Sequence, residues 1–332
     1  MKKIFVMFIS LLLLTGCGKK SQNSLVDHFI DEVESCNSYT LKGKMEIYSG
    51  EDTYSYDLDV SYMADDYYKV DMKNTITNHE QYILRNNDEV YVVTPSLNKS
   101  YKFVSEWPYN SSQSYILHTI VKDLKDYEIS DFKEEENGYS LKVGVNYPNN
   151  SELSYEKLYF DKKENLNKVV VYNKDDVIAV RVDILDIDYK SKLKKEDFEI
   201  SSLIDETCCQ GRFDTETSSL EDVIYPLYVP TNTFLKGKEM INTENGERAI
   251  LTFNGDKNFV LIEETSNVSE EFEVIPVYGD PFMLGNTVGA FGNNSLSWSV
   301  NNVDYYLTSN DLTVSEILTI ADSLNMTVAL EK

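Results

Sequence analysis

Histidines are the residues of this chain best suited to act as bases or as metal ligands. The chain has only three of them, His28, His79 and His118, and they lie far apart in three different sequence contexts. Neither a relay of nucleophile and base nor a zinc-binding spacing is visible around them. We expect all three to be surface residues or hydrogen-bonded structural residues, so the sequence predicts no metal site.

Pairs of adjacent acidic residues could supply the two carboxylates of a glycosidase or bind calcium. Such pairs occur at Asp65-Asp66, Asp175-Asp176 and Glu263-Glu264. With 56 acidic residues in the chain, adjacency arises by chance. No spacing matches a calcium-binding EF-hand loop. Solvated turns explain these pairs better than chemistry does.

A glycine-rich stretch contains Gly279, Gly285, Gly289 and Gly292. No Lys-Ser or Lys-Thr follows it and no βαβ pattern surrounds it, so we expect turns and bulges there and no phosphate site. Since no catalytic or cofactor motif is present elsewhere, the sequence predicts a protein that is not an enzyme and that uses no cofactor.

Cys17 stands at the end of a sorting signal. Lys2 and Lys3 precede an apolar run at residues 4–14, and Leu-Thr-Gly-Cys follows. This pattern predicts a secretory signal peptide over residues 1–16, because the apolar run is shorter than a membrane-spanning helix requires. The cysteine would then be acylated and followed by a polar tether, residues 17–23, which attaches the mature protein to the membrane. An uncleaved anchor is the alternative.

The remaining cysteines are Cys36, Cys208 and Cys209, an odd number for an exported chain. Adjacent cysteines can join only in a strained ring, and no Cys-x-x-Cys spacing or other ligand set accompanies them. We expect free thiols.

Length and charge limit the classes of function. A chain of 332 residues predicts two domains, since single cores rarely grow beyond about 250–300 residues. The net charge of −25 excludes nucleic acid and bare anionic lipid surfaces as partners, because both would be repelled. The acidic surface serves solubility or docks a basic partner.

Alternating apolar and polar residues predict a long antiparallel meander in the first domain, residues 24–205. It opens with a helix at residues 24–34, for which Ser24 is the expected N-cap. The predicted strands are at residues 39–48, 54–63, 67–72, 80–85, 90–93, 101–104, 139–145, 153–160, 168–173 and 177–187. So many strands would not remain flat, and we therefore expect a mainly β, strongly curved half-barrel with helices across its hollow.

A hairpin, an elbow and a helix are predicted at residues 89–124. Trp107-Pro108-Tyr109 ends the second hairpin strand, because proline removes a ladder donor. Ser111, Ser112 and Ser114 are the expected caps of the helix that follows.

Aromatic residues of this region are either core or contacts for a partner or ligand. The candidate contact residues are Tyr101, Phe103, Trp107, Pro108, Tyr109 and Tyr115.

Two short stretches at fixed spacing, TPSLNKSYKF at residues 94–103 and SEWPYNSSQSYIL at residues 105–117, resemble the signature of a known family. The family is that of LolA-like lipoproteins of Gram-positive spore formers, of the GerS and YdcC type. Outside these stretches the resemblance covers residues 24–205 by pattern only. It implies a LolA/RseB-like half-barrel whose hollow receives acyl chains in carriers. In GerS it implies instead a protein partner, an amidase of spore-cortex peptidoglycan.

The resemblance implies an extracytoplasmic, membrane-anchored lipoprotein of sporulation or germination, the forespore envelope included, that binds a partner such as a cortex amidase. A tethered Cys17 argues against the shuttling carrier, because a tethered protein cannot ferry cargo across an envelope. An acyl-lipid carrier and an RseB-like envelope stress sensor are the alternatives.

A change in pattern separates the second half of the chain. Residues 206–222 have no periodicity and are expected to be a linker. Residues 223–332 predict a small α+β accessory domain, with short strands and a closing helix that starts at a capping box, Thr313 to Glu316. The sequence leaves open whether the protein forms a homodimer through an edge strand.

Overall fold

The computed structural model describes residues 21–50, 52–203, 220, 223–243, 246–266, 272–292, 294–300 and 302–330, with side chains up to residue 324 in the last helix. The predicted signal peptide, the lipidated Cys17 and the neighbouring Cys208 and Cys209 lie outside these residues. So does most of the predicted linker.

The first half of the chain forms one large sheet with two helices. Its elements are α1 (Gln22–Ser35), β1 (Ser38–Ser49), β2 (Asp52–Met63), β3 (Tyr67–Asn74), β4 (Glu80–Asn86), β5 (Glu89–Thr94), β6 (Lys99–Phe103), α2 (Leu117–Asp126), β7 (Asp131–Glu135), β8 (Gly138–Gly144), β9 (Leu153–Asp161), β10 (Leu166–Asn173) and β11 (Ile178–Asp188). A twelfth strand, β15 (Glu273–Val277), comes from the second half. The spatial order is β15-β6-β5-β4-β3-β2-β1-β11-β10-β9-β8-β7. The sheet therefore has two ends and is open, which confirms the predicted curved half-barrel.

Alternation along each strand explains why the sheet has one dry face. In β1, Tyr39, Leu41 and Met45 are buried, whereas the lysines between them point to solvent. The register shifts between Lys42 and Gly43 where β1 pairs with β11. A Cβ at Gly43 would lie 2.9 Å from the Asp183 carbonyl oxygen, so the glycine permits this close approach and the bulge that bends the sheet.

Two helices fill the hollow of the half-barrel. Phe29 of α1 packs edge-to-face on Phe160 of β9, with ring centroids 5.5 Å apart. Ile120 of α2 lies in the same buried cluster. Among the described helices, none has the length and apolarity that crossing a membrane requires.

Both helix caps differ from the predictions. The N-cap of α1 is Ser21, whose hydroxyl accepts from the Ser24 N–H at 3.2 Å, so the helix begins within the expected tether. The N-cap of α2 is Ile116 and makes no side-chain cap. Ser112 was a wrong choice because its hydroxyl accepts instead from the Asn146 N–H at 2.8 Å and ties the elbow to the loop after β8.

The second half forms an α+β module, as predicted. Its elements are β12 (Thr233–Thr243), β13 (Gly246–Gly255), β14 (Phe259–Thr265), β16 (Asp280–Met283), β17 (Val288–Gly292), β18 (Ser295–Val300), β19 (Val303–Thr308) and α3 (Val314–Leu330). The sheet order is β12-β13-β14-β19-β18-β17-β16. The capping box is confirmed, since the Thr313 N–H donates to Glu316 Oε2 at 2.8 Å and the Glu316 N–H donates to Thr313 Oγ1 at 3.3 Å.

β15 joins the two halves. The strand was expected within the second domain, but it leaves that sheet and pairs in parallel with β6, with Ile275 opposite Tyr101 and Val277 opposite Phe103. Val288 of β17 also lies in the buried cluster of the first sheet. The second sheet is thus packed on the inner side of the first.

Candidate functional site

A cleft of about 280 Å³ lies where the second sheet meets the β4–β6 end of the first. Its lining comes from both sheets and includes Val92, Tyr101, Phe103, Ile262, Ser299 and Tyr306. Helices α1 and α2 fill the rest of the hollow. The cleft is therefore the part of the hollow that the two halves leave between them.

The first sheet supplies an apolar floor. Tyr101 and Phe103 are two residues apart on β6 and so share a face, and β15 places Ile275 and Val277 beside them in register. Phe103 is buried and Tyr101 is half-buried. Two of the predicted contact residues thus line one concave surface.

The second sheet faces this floor with a polar chain. The Ser299 hydroxyl donates its proton to Asp304 Oδ1. The oxygen of the same hydroxyl therefore accepts from the Tyr101 hydroxyl, at 3.0 Å. Burial, together with the charge of Asp304, raises the pKa of Tyr101 to about 12. The phenol is therefore neutral at physiological pH and acts as a hydrogen-bond donor.

Gln81 holds the back of the cleft closed. Its Oε1 accepts from the Val288 N–H at 2.9 Å and from the Thr287 hydroxyl at 3.1 Å. Its amide nitrogen donates to Thr94 Oγ1 at 3.0 Å, which fixes the orientation of the amide. The sequence reasoning missed this residue, although a glutamine on the dry face of β4 is a signal that could have found it.

Ion pairs flank the cleft. Lys99 Nζ is 3.7 Å from Asp304 Oδ2, and Arg248 binds Glu264 Oε2 through two nitrogens at 3.0 and 2.7 Å. The cleft therefore has acidic groups that are compensated within the protein.

The elbow forms a different cluster, built around the buried Arg85. Its Nη1 donates to the carbonyl oxygen of Trp107 at 2.8 Å, and its guanidinium carbon lies 5.4 Å from the ring centroid of Tyr109. The Tyr109 hydroxyl donates to Asp66 Oδ1 at 2.6 Å, and burial raises its pKa to about 12. Trp107 is only 1% exposed, and the Trp107–Pro108 peptide bond is cis.

The other predicted contact residues mostly serve the core. Pro108 and Tyr115 are buried, and the Tyr115 hydroxyl donates to Gln113 Oε1 at 2.7 Å. Tyr109 is half-buried and keeps some access to solvent. Docking of a partner at the elbow stays a prediction, and Tyr109 is the elbow residue that offers exposed atoms for it.

The residues with potential chemistry are scattered. His118 stacks in an aromatic cluster, 4.1 Å from the Tyr62 ring centroid, and burial lowers its pKa to about 4. Within the described residues, no three His, Cys, Asp or Glu side chains are grouped as metal ligands.

Two of the three acid pairs lie in turns, as expected. Asp65, Asp66 and Asp176 have the positive φ angles of such turns. The prediction was wrong for Glu263 and Glu264, because both lie on β14 and alternation sends them to opposite faces. Glu263 is buried and accepts from the Ile224 N–H at 3.0 Å, so this pair is not a pair of cooperating carboxylates.

Solved structures share features of this fold at low similarity. The LolA superfamily protein NE2245 from Nitrosomonas europaea is 11% identical, with a TM-score of 0.33, and the match covers 55% of this chain and 100% of that one. A chain from the structure of the CwlD amidase from Clostridioides difficile in complex with the GerS lipoprotein is 17% identical, with a TM-score of 0.30. That match covers 53% of this chain and 98% of that one.

Sequence comparison identifies the family. Sporulation protein YdcC from Bacillus subtilis (strain 168) is 32% identical over 328 residues, which cover 97% of each chain. A sequence profile described as "Sporulation protein YdcC-like" matches residues 1–198. The chain therefore belongs to the YdcC-like family of sporulation proteins.

Proposed function

We propose that this protein is a non-enzymatic envelope lipoprotein, anchored to the membrane through Cys17, that binds a protein partner during spore formation or germination. Membership of the YdcC-like sporulation family supports the cellular role. The Leu-Thr-Gly-Cys sequence at residues 14–17 supports the extracytoplasmic anchor. The observation that carries the partner role is the cleft between the two sheets, whose walls are joined by hydrogen bonds of Gln81 and Tyr101.

The small cleft and the filled hollow together favour protein side chains over acyl chains as the ligand. Ligand pockets for small molecules span roughly 300–1,000 Å³. At about 280 Å³ the cleft is near the lower end of this range and has room for one or two large side chains. The rest of the hollow is filled by α1 and α2, where Leu25, Phe29 and Val33 are 0 to 1% exposed. Loading an acyl chain there would require a helix to leave.

The lining indicates which side chains would fit. Tyr101 and Phe103 offer an aromatic floor for an apolar or aromatic side chain. Asp304 and Glu264 at the walls are paired with Lys99 and Arg248, and their carboxylate oxygens favour a partner that brings hydrogen-bond donors. The net charge of −25 of the whole chain favours a partner with a basic surface.

The proposed class of partner is a cell-wall amidase. The stretches at residues 94–103 and 105–117 resemble those of GerS-type lipoproteins. The structure compared above contains the GerS lipoprotein in complex with the CwlD amidase. An amidase of spore-cortex peptidoglycan is accordingly the partner that we propose here.

Affinity capture of the lipidated protein from sporulating cells tests the proposal, with co-purifying proteins and lipids both identified. Ser297→Phe would fill the cleft, whereas Ser201→Phe makes the same change at an exposed turn and serves as the matched control. We expect wild type and Ser201→Phe to recover an amidase in stoichiometric amount and Ser297→Phe to lose it.

Two results would contradict the proposal. Acyl lipid without any protein partner on the wild type would indicate a carrier or lipid sensor. Equal recovery of the amidase by Ser297→Phe would show that the partner binds elsewhere than in the cleft.

A further inference from the structure

β12 is an edge of the second sheet, and within the described chain no strand pairs with its outer side. It is 11 residues long and carries large exposed side chains. Phe234, Leu235, Met240 and Ile241 are 69%, 42%, 47% and 42% exposed. A long apolar edge of this kind is a template for pairing with another strand, and natural proteins usually protect such edges.

A bulge arranges these apolar side chains in pairs that share a face. Leu235 lies opposite Phe253 of β13, and Met240 lies opposite Ala249. Phe253 and Ala249 are four residues apart, so both point to the same side of β13. In a regular strand, residues 235 and 240 would point to opposite sides. The register shift between Leu235 and Gly237 inserts one residue and returns them to one face.

The same shift aligns the outer pair. Phe234 lies opposite Asn254, and Ile241 lies opposite Arg248. These two β13 residues also share a face, the one opposite to that of Ala249. Counted along β13, both apolar pairs are symmetric about Lys238, which lies opposite Leu251.

This symmetry is what an antiparallel two-fold pairing requires. A two-fold axis perpendicular to a sheet places each residue opposite a residue of the same face in the second copy. With the axis at Lys238, Leu235 faces the partner's Met240 and Phe234 faces the partner's Ile241. We propose that the protein forms a homodimer in which the β12 strands of two copies pair antiparallel about Lys238 and join the two second sheets into one continuous sheet.

Charges along the strand are complementary in this register. Gly237 faces the partner's Glu239 in this register. Lys236 is the bulge residue, has no paired residue in β13 and directly precedes that glycine. In this register each copy thus places its lysine within one residue of the position opposite the other copy's glutamate. Lys238 meets its own symmetry mate, but its Nζ lies 6.0 Å from the ring centroid of Tyr225 and so turns toward its own copy.

The charge of the whole protein favours a second copy at this edge over other edges. Two chains that each carry −25 repel one another over most of their surfaces. The exposed part of β12 has two lysines and one glutamate between its apolar ends, so its local charge is close to balanced. Two copies therefore repel one another less at this strand than over their acidic surfaces.

Charge reversal tests the pairing in the full-length protein, purified in detergent and studied by sedimentation velocity over a range of concentrations. Lys236→Glu and Glu239→Lys each place like charges opposite each other twice across the axis, and we expect dimer affinity to fall by roughly tenfold. The double variant restores both pairs and should restore the affinity. Lys42→Glu, which disrupts an exposed ion pair with Asp59 on the first sheet, should leave dimerisation unchanged.

Disulfide formation tests the register. Lys238→Cys should form a dimer on mild oxidation, because the two residues at the axis are directly opposite. Glu239→Cys should not exceed the wild-type level set by the native thiols, because its symmetry mate is displaced along the strand. A monomer at all concentrations, failure of the double variant to recover, or stronger crosslinking at residue 239 than at residue 238 would overturn the proposal.

Discussion

The N–H of Val288 in the second sheet donates to Oε1 of Gln81 in the first, at 2.9 Å, and this bond is buried. Gln81 lies on the buried face of β4, two residues before the apolar Ile83, and its amide is also held by Thr94. The two sheets are therefore joined by a polar contact that neither could satisfy alone. The position of the second sheet, and with it the shape of the cleft, depends on this contact.

Gln81→Met should therefore destabilise the protein although it increases apolar volume. The change leaves the Val288 N–H without its acceptor, whereas the Thr287 hydroxyl still has the Ser299 carbonyl oxygen at 3.1 Å, and a buried unsatisfied group costs about 1–3 kcal/mol. We expect a lower melting temperature and faster proteolysis between the two sheets. Gln22→Met in the first turn of α1 is the matched control and should leave both measurements unchanged.

The strands show which parts of the fold the sequence can predict and which it cannot. Alternation located β1–β6 and β8–β11 because burial of one face imposes it. β7, with the sequence DFKEE, and β12 were missed because edge strands are exposed on both faces and need no alternation. The strand that pairs with β15 could not be predicted either, because the parallel pairing of Ile275 with Tyr101 depends on tertiary packing and leaves no local signal in the sequence.

Among the candidate site residues, the aromatic ones were recognised by type but their roles differ. Tyr101 and Phe103 line the cleft, whereas Trp107 is buried and its carbonyl oxygen accepts a hydrogen bond from Arg85. An aromatic residue has the same sequence signal in both settings. The polar residues on the dry face, Gln81 and Arg85, would have been the better indicators of where the strands meet something other than apolar core.

Arg85→Met should disturb the elbow. Loss of the guanidinium removes the donor to the buried carbonyl of Trp107 and the cation above the Tyr109 ring, which together predict a loss of about 2–3 kcal/mol. The fluorescence of Trp107, one of two tryptophans, should shift to longer wavelength. Arg181→Met, at an ion pair with Asp183 on the surface, is the control and should change stability by less than about 1 kcal/mol. An unchanged melt for Arg85→Met would show that the elbow does not need its arginine.

The buried carboxyl of Glu263 predicts a pH dependence. Burial raises its pKa from 4.5 to about 7, against a smaller opposing effect of the Ile224 N–H. The folded protein therefore binds more protons than the unfolded chain between these values, so this group lowers stability as pH rises from 4.5 to about 7. Glu263→Gln should be more stable than wild type at pH 8, by on the order of 2 kcal/mol, and should lose this advantage at pH 4.5.

Thermal melts across that range measure the effect of Glu263. Glu136→Gln, at an exposed position of the turn between β7 and β8, makes the same chemical change and should show a constant difference from wild type. A Glu263→Gln advantage that stays the same from pH 4.5 to 8 would mean that this carboxyl does not titrate in the window.

Tyr101→Phe should weaken binding of the partner at the cleft with little effect on the stability of the fold. The phenol donates to Ser299, which in turn donates to Asp304, so its removal leaves one hydroxyl oxygen without a donor in a partly solvated cleft. A single neutral hydrogen bond contributes about 0.5–1.5 kcal/mol, and the fold should tolerate this loss.

A partner side chain that is oriented by the Tyr101 hydroxyl would be held less firmly, and we expect capture of the partner to fall by roughly tenfold. Tyr48→Phe removes a phenol that donates to Glu46 on the first sheet and serves as the control for both measurements. If the two variants captured the partner equally well, the polar chain at Tyr101 would serve only to join the sheets, and recognition would rest on the apolar floor.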